Sequence, residues 1–456
     1  MRRRSLNALA AAIALTLPWV AVWLLETALP ALLAGYEPPA SIAAMPTGGI
    51  VLLSGVAVLG ASFLLAWGAE TAEKDVPRSF AIAVLAVLAV APEYAVDALY
   101  AWTAGSLAGT AAGAEAGNLA VANMTGANRI LIGIGWAGIA LFTVYRAGAG
   151  DDPAVVERPG FLADAVSLDR DIGLEVVFLL AATGWAFLVP LGGGIDALDL
   201  FVLVGLYVAY ILVVLRGDVD PDSHHVGVPA YLQTLPKPRR IATVVALFVY
   251  SGLLIFIAVE PFAHGLEELG TAAGVPPFFM IQWVAPLASE APELIVVLYL
   301  VNKARSTAGF NALISSKLNQ WTLLIGTLVV VYSLALGRYG ALPFDQKQSA
   351  EIWLTAAQSL FAIAVLVDFK ISVREALVIL LLFCSQVFFE FLVVQDVVLP
   401  LSSYELLLSY SAVYVVLAVG LFVGRRRALR GLLEDAAGVI GRAAFPDEEP
   451  AAGAGD

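Results

Sequence analysis

The chain reads as an all-α polytopic membrane protein made of two oppositely threaded halves. Three observations predict this. Apolar runs of roughly 20 residues, the length that crosses a hydrocarbon core about 30 Å thick, recur along the 456 residues. The basic residues gather in alternate loops between those runs. An Ala-Pro-Glu triplet, Ala91-Pro92-Glu93, returns as Ala291-Pro292-Glu293 in a run that the alternation turns the other way.

The runs predict helices near residues 7–34, 48–69, 79–104, 117–145, 171–190 and 196–215, then 240–262, 278–302, 308–336, 351–367, 374–397 and 403–424. That is about twelve spans, with boundaries good to a few residues. The first run follows Arg2-Arg3-Arg4, as a secretion signal would. Its apolar part is longer than the 7–15 residues of such a signal, so an uncleaved first helix is expected. Between the two series a polar stretch from Arg216 to Arg240 holds His224, His225 and several prolines, and it reads as a linker.

With the N-terminus inside, 21 of the 25 basic residues fall in inner loops, from Arg2 to Arg442. Arg338 and Lys347 fall outside, and Arg129 and Lys317 lie within spans. This is the positive-inside bias; both termini are therefore expected in the cytoplasm, with the chain in the cell membrane. A span missed midway would have scrambled the count.

Composition excludes other classes. The chain is 60% hydrophobic and 14% charged, against about 25% charged in soluble domains. A net charge of -13, with acids in loops and tail such as Asp151-Asp152, Asp218 to Asp222 and Asp447-Glu448-Glu449, argues against nucleic acid as a partner. The expected partners are the lipid bilayer and small cations. Cys384 is alone, so no disulfide forms within the chain. The three histidines (224, 225 and 264) fall in loops or at span ends, which leaves a histidine-metal centre without support.

Glu93 and Glu293 stand about fourteen and fifteen residues into their spans, about 21–23 Å along each helix. An acid at that depth costs about 2.5–3.5 kcal/mol on insertion scales and marks a functional site. The proline before each removes a backbone N–H and frees a carbonyl four residues back, at Leu88 or Ala288. Hard cations want several oxygen ligands, and carboxylate with freed carbonyl supplies two kinds. Asp97 lies one turn after Glu93, and Glu290 three residues before Glu293, so each pair shares a helix face. Close carboxylates repel when both are ionised and need a proton or cation between them. A structural alternative is a buried pair with Arg129 or Lys317 that locks helices; Asp97 and Glu290 could instead line a vestibule.

Each triplet is followed by a span with polar groups at mid-helix: Thr125-Gly126-Ala127-Asn128-Arg129 up to Gly135, and Ser316-Lys317-Leu318-Asn319-Gln320 up to Gly326. Counted back from those glycines, Arg129 matches Gln320 and Thr125 matches Ser316. Their oxygens, with those of Asn123, Asn128 and Asn319, could complete an ion shell or serve as polar glue between helices. Arg129 cannot lose its charge and lies too deep to reach either surface, so it is read as charge-compensating: a permanent replacement for one cation, or a strut to Asp97. Lys317 is shallower and is expected to reach the inner interface. Trp67, Trp102, Tyr145 and Tyr332 read as interfacial anchors, and Glu390 and Asp396 as vestibule or oligomer-contact acids. Opposed halves meeting at the midplane are the signature of alternating-access transport.

These residues resemble the cation/calcium exchanger superfamily, typified by sodium/calcium exchangers. The resemblance rests on Ala91-Pro92-Glu93 with Asn123 to Asn128, and on Ser289-Glu290-Ala291-Pro292-Glu293 with Ser315 to Gln320. It implies two inverted five-helix repeats, a ten-helix core, plus one extra helix at each end. The implied division is an N-terminal extra helix over 1–47, a first repeat over 48–215, a cytoplasmic loop over 216–239, a second repeat over 240–397, and an extra helix with an acidic tail over 398–456. It implies Glu93 and Glu293 as the central metal ligands, with Thr125 and Ser316 as hydroxyl ligands. Glu290, Asp97, Asn128, Ser289 and Gln320 complete the expected ion-binding set. Ala89-Val90 and Ser289-Glu290 stand where the family carries Thr-Ser, and Arg129 and Gln320 where it carries Asn or Asp.

The expected function is secondary active antiport of Na⁺ or H⁺ against Ca²⁺ or another cation, with no enzymatic activity and no cofactor. No Walker-type ATP motif is present, so an ion gradient supplies the energy. A Na⁺/H⁺ antiporter on the same scaffold is the alternative, favoured by Arg129 and the missing hydroxyls. An intramembrane hydrolase using Glu93 and Glu293 as an acid pair is a more distant one.

Overall fold

The computed structural model describes residues 2–33, 36–39, 44–147, 152–216, 227–275, 279–395 and 401–444. Asp151, Asp218 to Asp222, His224, His225, Asp396 and the acidic Asp447-Glu448-Glu449 lie outside them. Among the described residues ten helices are long and apolar enough to cross a membrane, and two bent helix pairs raise the number to as many as twelve.

Helix α1 (Arg2–Trp23) runs on through a π turn at Leu24–Ala28 and a last turn at Leu29–Leu32. The first repeat follows with α2 (Thr47–Ala72), α3 (Arg78–Ser106), α4 (Ala111–Ile130) continued through a π turn at Leu131–Trp136 into α5 (Ala137–Ala147), α6 (Gly173–Ala186) and α7 (Ala197–Val214). The linker carries the short α8 (Val228–Gln233). The second repeat repeats the pattern: α9 (Lys237–Ala272), a π turn at Met280–Val284 leading into α10 (Ala285–Ser289) and α11 (Ala291–Asn302), α12 (Ser306–Asn319) continued through a π turn at Gln320–Leu324 into α13 (Ile325–Leu336), α14 (Gln346–Leu366) and α15 (Val373–Val394). Helix α16 (Ser403–Gly424) is the extra C-terminal span, and α17 (Arg426–Ala444) closes the described chain.

Two of the four described π turns fall at nearly matching places, just after Arg129 and at Gln320, where an extra residue per turn re-aims the neighbouring side chains. Helices α2 and α9 lie along each other through small residues. A Cβ at Gly265 would come 2.6 Å from Val51, and one at Gly55 3.0 Å from Phe262. Helix α1 leans on α2 at Gly60, where a Cβ would meet the Ala12 carbonyl at 2.7 Å. Helix α16 packs on α14, with the Tyr414 and Phe361 rings 5.9 Å apart.

Three details depart from the sequence reading. Helix α9 continues to Ala272, ten residues past the expected end, because its last turns are polar and carry no hydropathy signal. A small antiparallel sheet joins the loops before α6 and α15: β1 (Val155–Val156) pairs with β2 (Ala165–Ser167), which pairs with β3 (Lys370–Ser372). Strands of two or three residues are too short for period-two patterning to show. The tail after α16 begins as helix α17, docked by Arg216, which donates to the Ala443 carbonyl.

One end of the bundle is tied by ion pairs. Arg305, between α11 and α12, binds Glu70 of α2 and Glu73 just past its end, the latter through Nη2 at 2.9 and 3.0 Å. Arg240 of α9 grips Asp75, in the α2–α3 loop, with a two-pronged contact of 2.6 and 2.7 Å. That guanidinium holds the Asp75 carboxyl below the usual carboxylate range, against the opposing effect of burial.

Candidate ion-binding site

Both Pro-Glu helices bend where the proline removes a backbone donor. Ser79–Leu88 and Glu93–Ser106 meet at 50°, and Gln282–Ser289 and Ala291–Asn302 at 53°. Glu93 is the sixteenth of 29 residues in α3. Glu290 is the N-cap of α11 and Glu293 lies in its first turn. Both bends bring their acids inward: Glu93 and Glu293 are 1% exposed, Glu290 2% and Asp97 0%.

One side chain bridges acids of both repeats. Gln320 donates its amide to Glu93 Oε2 at 2.8 Å and to Glu290 Oε1 at 2.5 Å, so it joins α3 of the first repeat to the second repeat's break. Ser316, one turn before Gln320, donates to Glu293 Oε2 at 2.6 Å. Asn123 donates to Asp97 Oδ1 at 2.9 Å, and Tyr94 to Asn319 Oδ1 at 2.6 Å. The second oxygens of all four acids are buried and meet no N–H or hydroxyl donor, as are Asn128 Oδ1 and Gln320 Oε1, while the Glu290 carboxyl lies against those of Glu93 and Glu293. Buried oxygens are normally paired, and oxygens left over in this number suit a hard cation. As they stand, no three or more Asp, Glu, His or Cys among the described residues are placed to hold a metal ion together. The oxygen set is one of carboxylates mixed with amides and a hydroxyl.

Three expected ligands spend their donors on carbonyls of their own helices. Thr125 bonds the carbonyls of Val121 and Ala122 on its own helix. Asn128 donates to Met124 O, and Ser289 to Pro286 O.

Both interior cations correct the sequence reading. Arg129 forms no strut to Asp97 and does not face Glu93 or Glu293. Its guanidinium pairs with Glu351 of α14 at 2.5 Å, donates to Gln386 of α15 at 3.3 Å and lies 4.7 Å from the Trp283 ring centroid. The turn of α4 carries residue 129 to the face opposite α14 and α15, which spacing within α4 cannot reveal. Lys317 does not reach an interface. It is fully buried, 3.4 Å from the Asn128 carbonyl and 4.3 Å from the Trp321 ring centroid.

Glu390 is fully buried, accepting from Gln386 at 2.7 Å and lying 3.6 Å from Lys347. Of the expected anchors, Trp102 and Tyr145 are exposed, while Trp67 is buried and donates to Tyr299, and Tyr332 is buried as well. Sequence reasoning passed over Glu351, which accepts from Gln282 at 3.0 Å, and Glu175, which accepts from Tyr210 at 3.1 Å. Both stand near the start of an apolar run, where an acid reads as interfacial. The available signal was their common place in the two repeats.

Two inverted repeats, each offering a buried glutamate on a bent helix to one shared site, define an inverted-repeat membrane transporter. The chain belongs to the family described as Sodium/calcium exchanger protein, whose profile matches residues 47–216 and 243–392. Among solved structures, it is similar to the crystal structure of the H⁺/Ca²⁺ exchanger CAX, with 41% identity over 97% of this chain and 99% of that one and a TM-score of 0.77. The sodium-calcium exchanger NCX_Mj, soaked with 10 mM Na⁺ and zero Ca²⁺, shares 15% identity over 75% of this chain and 97% of its own, with a TM-score of 0.53. That second likeness concerns the fold. Comparison with curated proteins returned no match.

Proposed function

We propose that this chain is a secondary antiporter exchanging Ca²⁺, or a cation of like chemistry, against H⁺ by alternating exposure of Glu93 and Glu293. The observation that carries the reading is the Gln320 bridge: carboxyls from both repeats meet at one amide and lie against each other, each with an oxygen that meets no N–H or hydroxyl donor. In this reading Glu93, Glu290 and Glu293 bind the cation, with Ser316 and Gln320 holding their carboxyls and Asp97 with Asn123 lining the approach. Thr125, Asn128 and Ser289 donate to carbonyls of their own helices, which leaves their side-chain oxygens available as further ligands.

H⁺ is favoured over Na⁺ as the counter-ion. In the first repeat Ala89-Val90 stand where the family carries Thr-Ser, so this half offers fewer neutral oxygens for additional monovalent ions. Carboxyls that contact one another can exchange a divalent cation for protons with little rearrangement. The 41% identical relative is itself an H⁺/Ca²⁺ exchanger by title. The distribution of basic residues supports a cytoplasmic side for both termini and for the Arg305–Glu70–Glu73 end.

The test is Ca²⁺ uptake into proteoliposomes driven by an imposed pH gradient, and separately by a Na⁺ gradient. Uptake with the pH gradient, lost in Glu293→Gln, is expected. Uptake driven by Na⁺ alone would reassign the counter-ion, and full exchange by Glu293→Gln would remove the site.

A further inference from the structure

The two fourth helices of the repeats touch where the Thr183 and Ser359 hydroxyls lie 2.9 Å apart, between residues 176 positions apart in the chain. The same offset relates Glu175 of α6 to Glu351 of α14, and Tyr210 of α7 to Gln386 of α15. Each repeat therefore buries a glutamate at the equivalent point of its fourth helix, beside a polar side chain from its fifth. Glu175, Tyr210 and Glu351 are 0% exposed.

Their partners differ. Glu351 has the Arg129 guanidinium at 2.5 Å. The counterpart of Arg129 in the glycine register is Gln320, a neutral residue already engaged by Glu93 and Glu290. Glu175 is left with the Tyr210 hydroxyl, which donates to Oε1 at 3.1 Å, while the buried Oε2 has no hydrogen-bond partner. The ionisable groups acting on Glu175 are Tyr210 and Asp171, one turn earlier, which adds negative charge. From α12 comes Ser315, and α14 meets α6 two turns further on through Ser359. No Lys, Arg or His on these elements or on α17 is ion-paired with Glu175 among the described residues.

The contacts run toward the central site. The Tyr210 hydroxyl lies 3.3 Å from Ser315 Oγ, and the next residue, Ser316, donates to Glu293. A buried carboxylate needs a positive partner. Arg129 is that partner for Glu351, permanently. We propose that Glu175 is a proton-binding site of the exchanger, the exchangeable counterpart of the fixed Arg129–Glu351 pair, communicating with Glu293 through Tyr210 and the Ser315–Ser316 turn. A proton adds to the Glu175 carboxylate as an O–H bond and leaves to water as that bond breaks, so one charge enters and one departs. Ionised Glu175 holds the Tyr210 hydrogen; protonated Glu175 releases it toward Ser315, next to the residue that holds Glu293. The proposal rests on the antiport reading above and adds a second proton site to it.

The experiment compares wild type and Glu175→Gln in proteoliposomes in two modes: Ca²⁺ accumulation at steady state under a pH gradient, and Ca²⁺/Ca²⁺ counterflow at equal pH. One coupled proton fewer lowers accumulation about tenfold per unit of pH gradient, with counterflow retained. Unchanged accumulation, or loss of counterflow together with accumulation, overturns the proposal. If Glu175→Gln does not fold, Tyr210→Phe carries the same comparison, and unchanged accumulation there also overturns it. Purified protein gives a readout without transport: the infrared carbonyl band of a protonated carboxyl, compared between acid and alkaline pH, should diminish in Glu175→Gln. Wild type inactive in both transport modes counts against the antiport reading, whereas the infrared band tests the Glu175 site alone.

Discussion

Ser316 reaches Glu293 at 2.6 Å in a fully buried setting, and hydrogen bonds to charged groups contribute about 1.5–3 kcal/mol. Ser316→Ala should weaken apparent cation affinity by about that amount, read as a rise in half-saturating Ca²⁺ with the protein still folded. Arg129 and Glu351 test a different kind of contact. Removing one member of a buried ion pair leaves an uncompensated charge and costs about 3–5 kcal/mol, while replacing both is often nearly neutral. Arg129→Gln and Glu351→Gln should each lower the melting temperature in detergent markedly. The double variant should recover most of the loss. Additive losses would show that the two side chains do not act as a pair.

Helix packing around the site depends on backbones that approach closely. A Cβ at Gly126 would stand 2.3 Å from the Gln282 carbonyl oxygen, so α4 is pressed against the π turn that leads into the second repeat's break. Gly138, one span segment further on, has nothing within 4 Å of the same construction. Gly126→Ala should destabilise by about 1–3 kcal/mol, the range for overpacking, and impair exchange because the bend that carries Glu290 and Glu293 must shift. Gly138→Ala should leave the melting temperature and transport unchanged. The glycine between Thr125 and Asn128 was visible in the sequence. Its reason was not, because the opposing carbonyl belongs to a helix more than 150 positions away.

Across the whole molecule, one end is cross-linked by charge: Arg305 to Glu70 and Glu73, and Arg240 to Asp75. Asp75 has its folded-state value depressed by Arg240. Its stabilising contribution is therefore complete above the ordinary aspartate value of about 3.9 and disappears as pH falls through the lower, folded value. Asp75→Asn should melt below wild type at neutral pH. The gap should narrow in acid below pH ~4, as followed by thermal unfolding across a pH series. A gap independent of pH would assign the effect to packing. These ties join α2, α9 and the α11–α12 loop, and so hold both repeats together at that end.

Hydropathy, the bias of basic residues and the paired Pro-Glu triplets determined the membrane class, the number of spans, the opposed halves and the burial of Glu93 and Glu293. Each of these is written along one dimension, as run length, loop charge or a missing amide hydrogen. Tertiary structure decided the partners: Gln320 between Glu93 and Glu290, Arg129 on Glu351, Lys317 beside the Asn128 carbonyl. Spacing tells which residues share a face of a helix. Which neighbour that face meets depends on rotation about the helix axis and on the bends, and these follow from packing among distant segments. Glu175 and Glu351 show the same division, since their equivalence is a constant offset in the chain, while the cation that distinguishes them arrives from another helix.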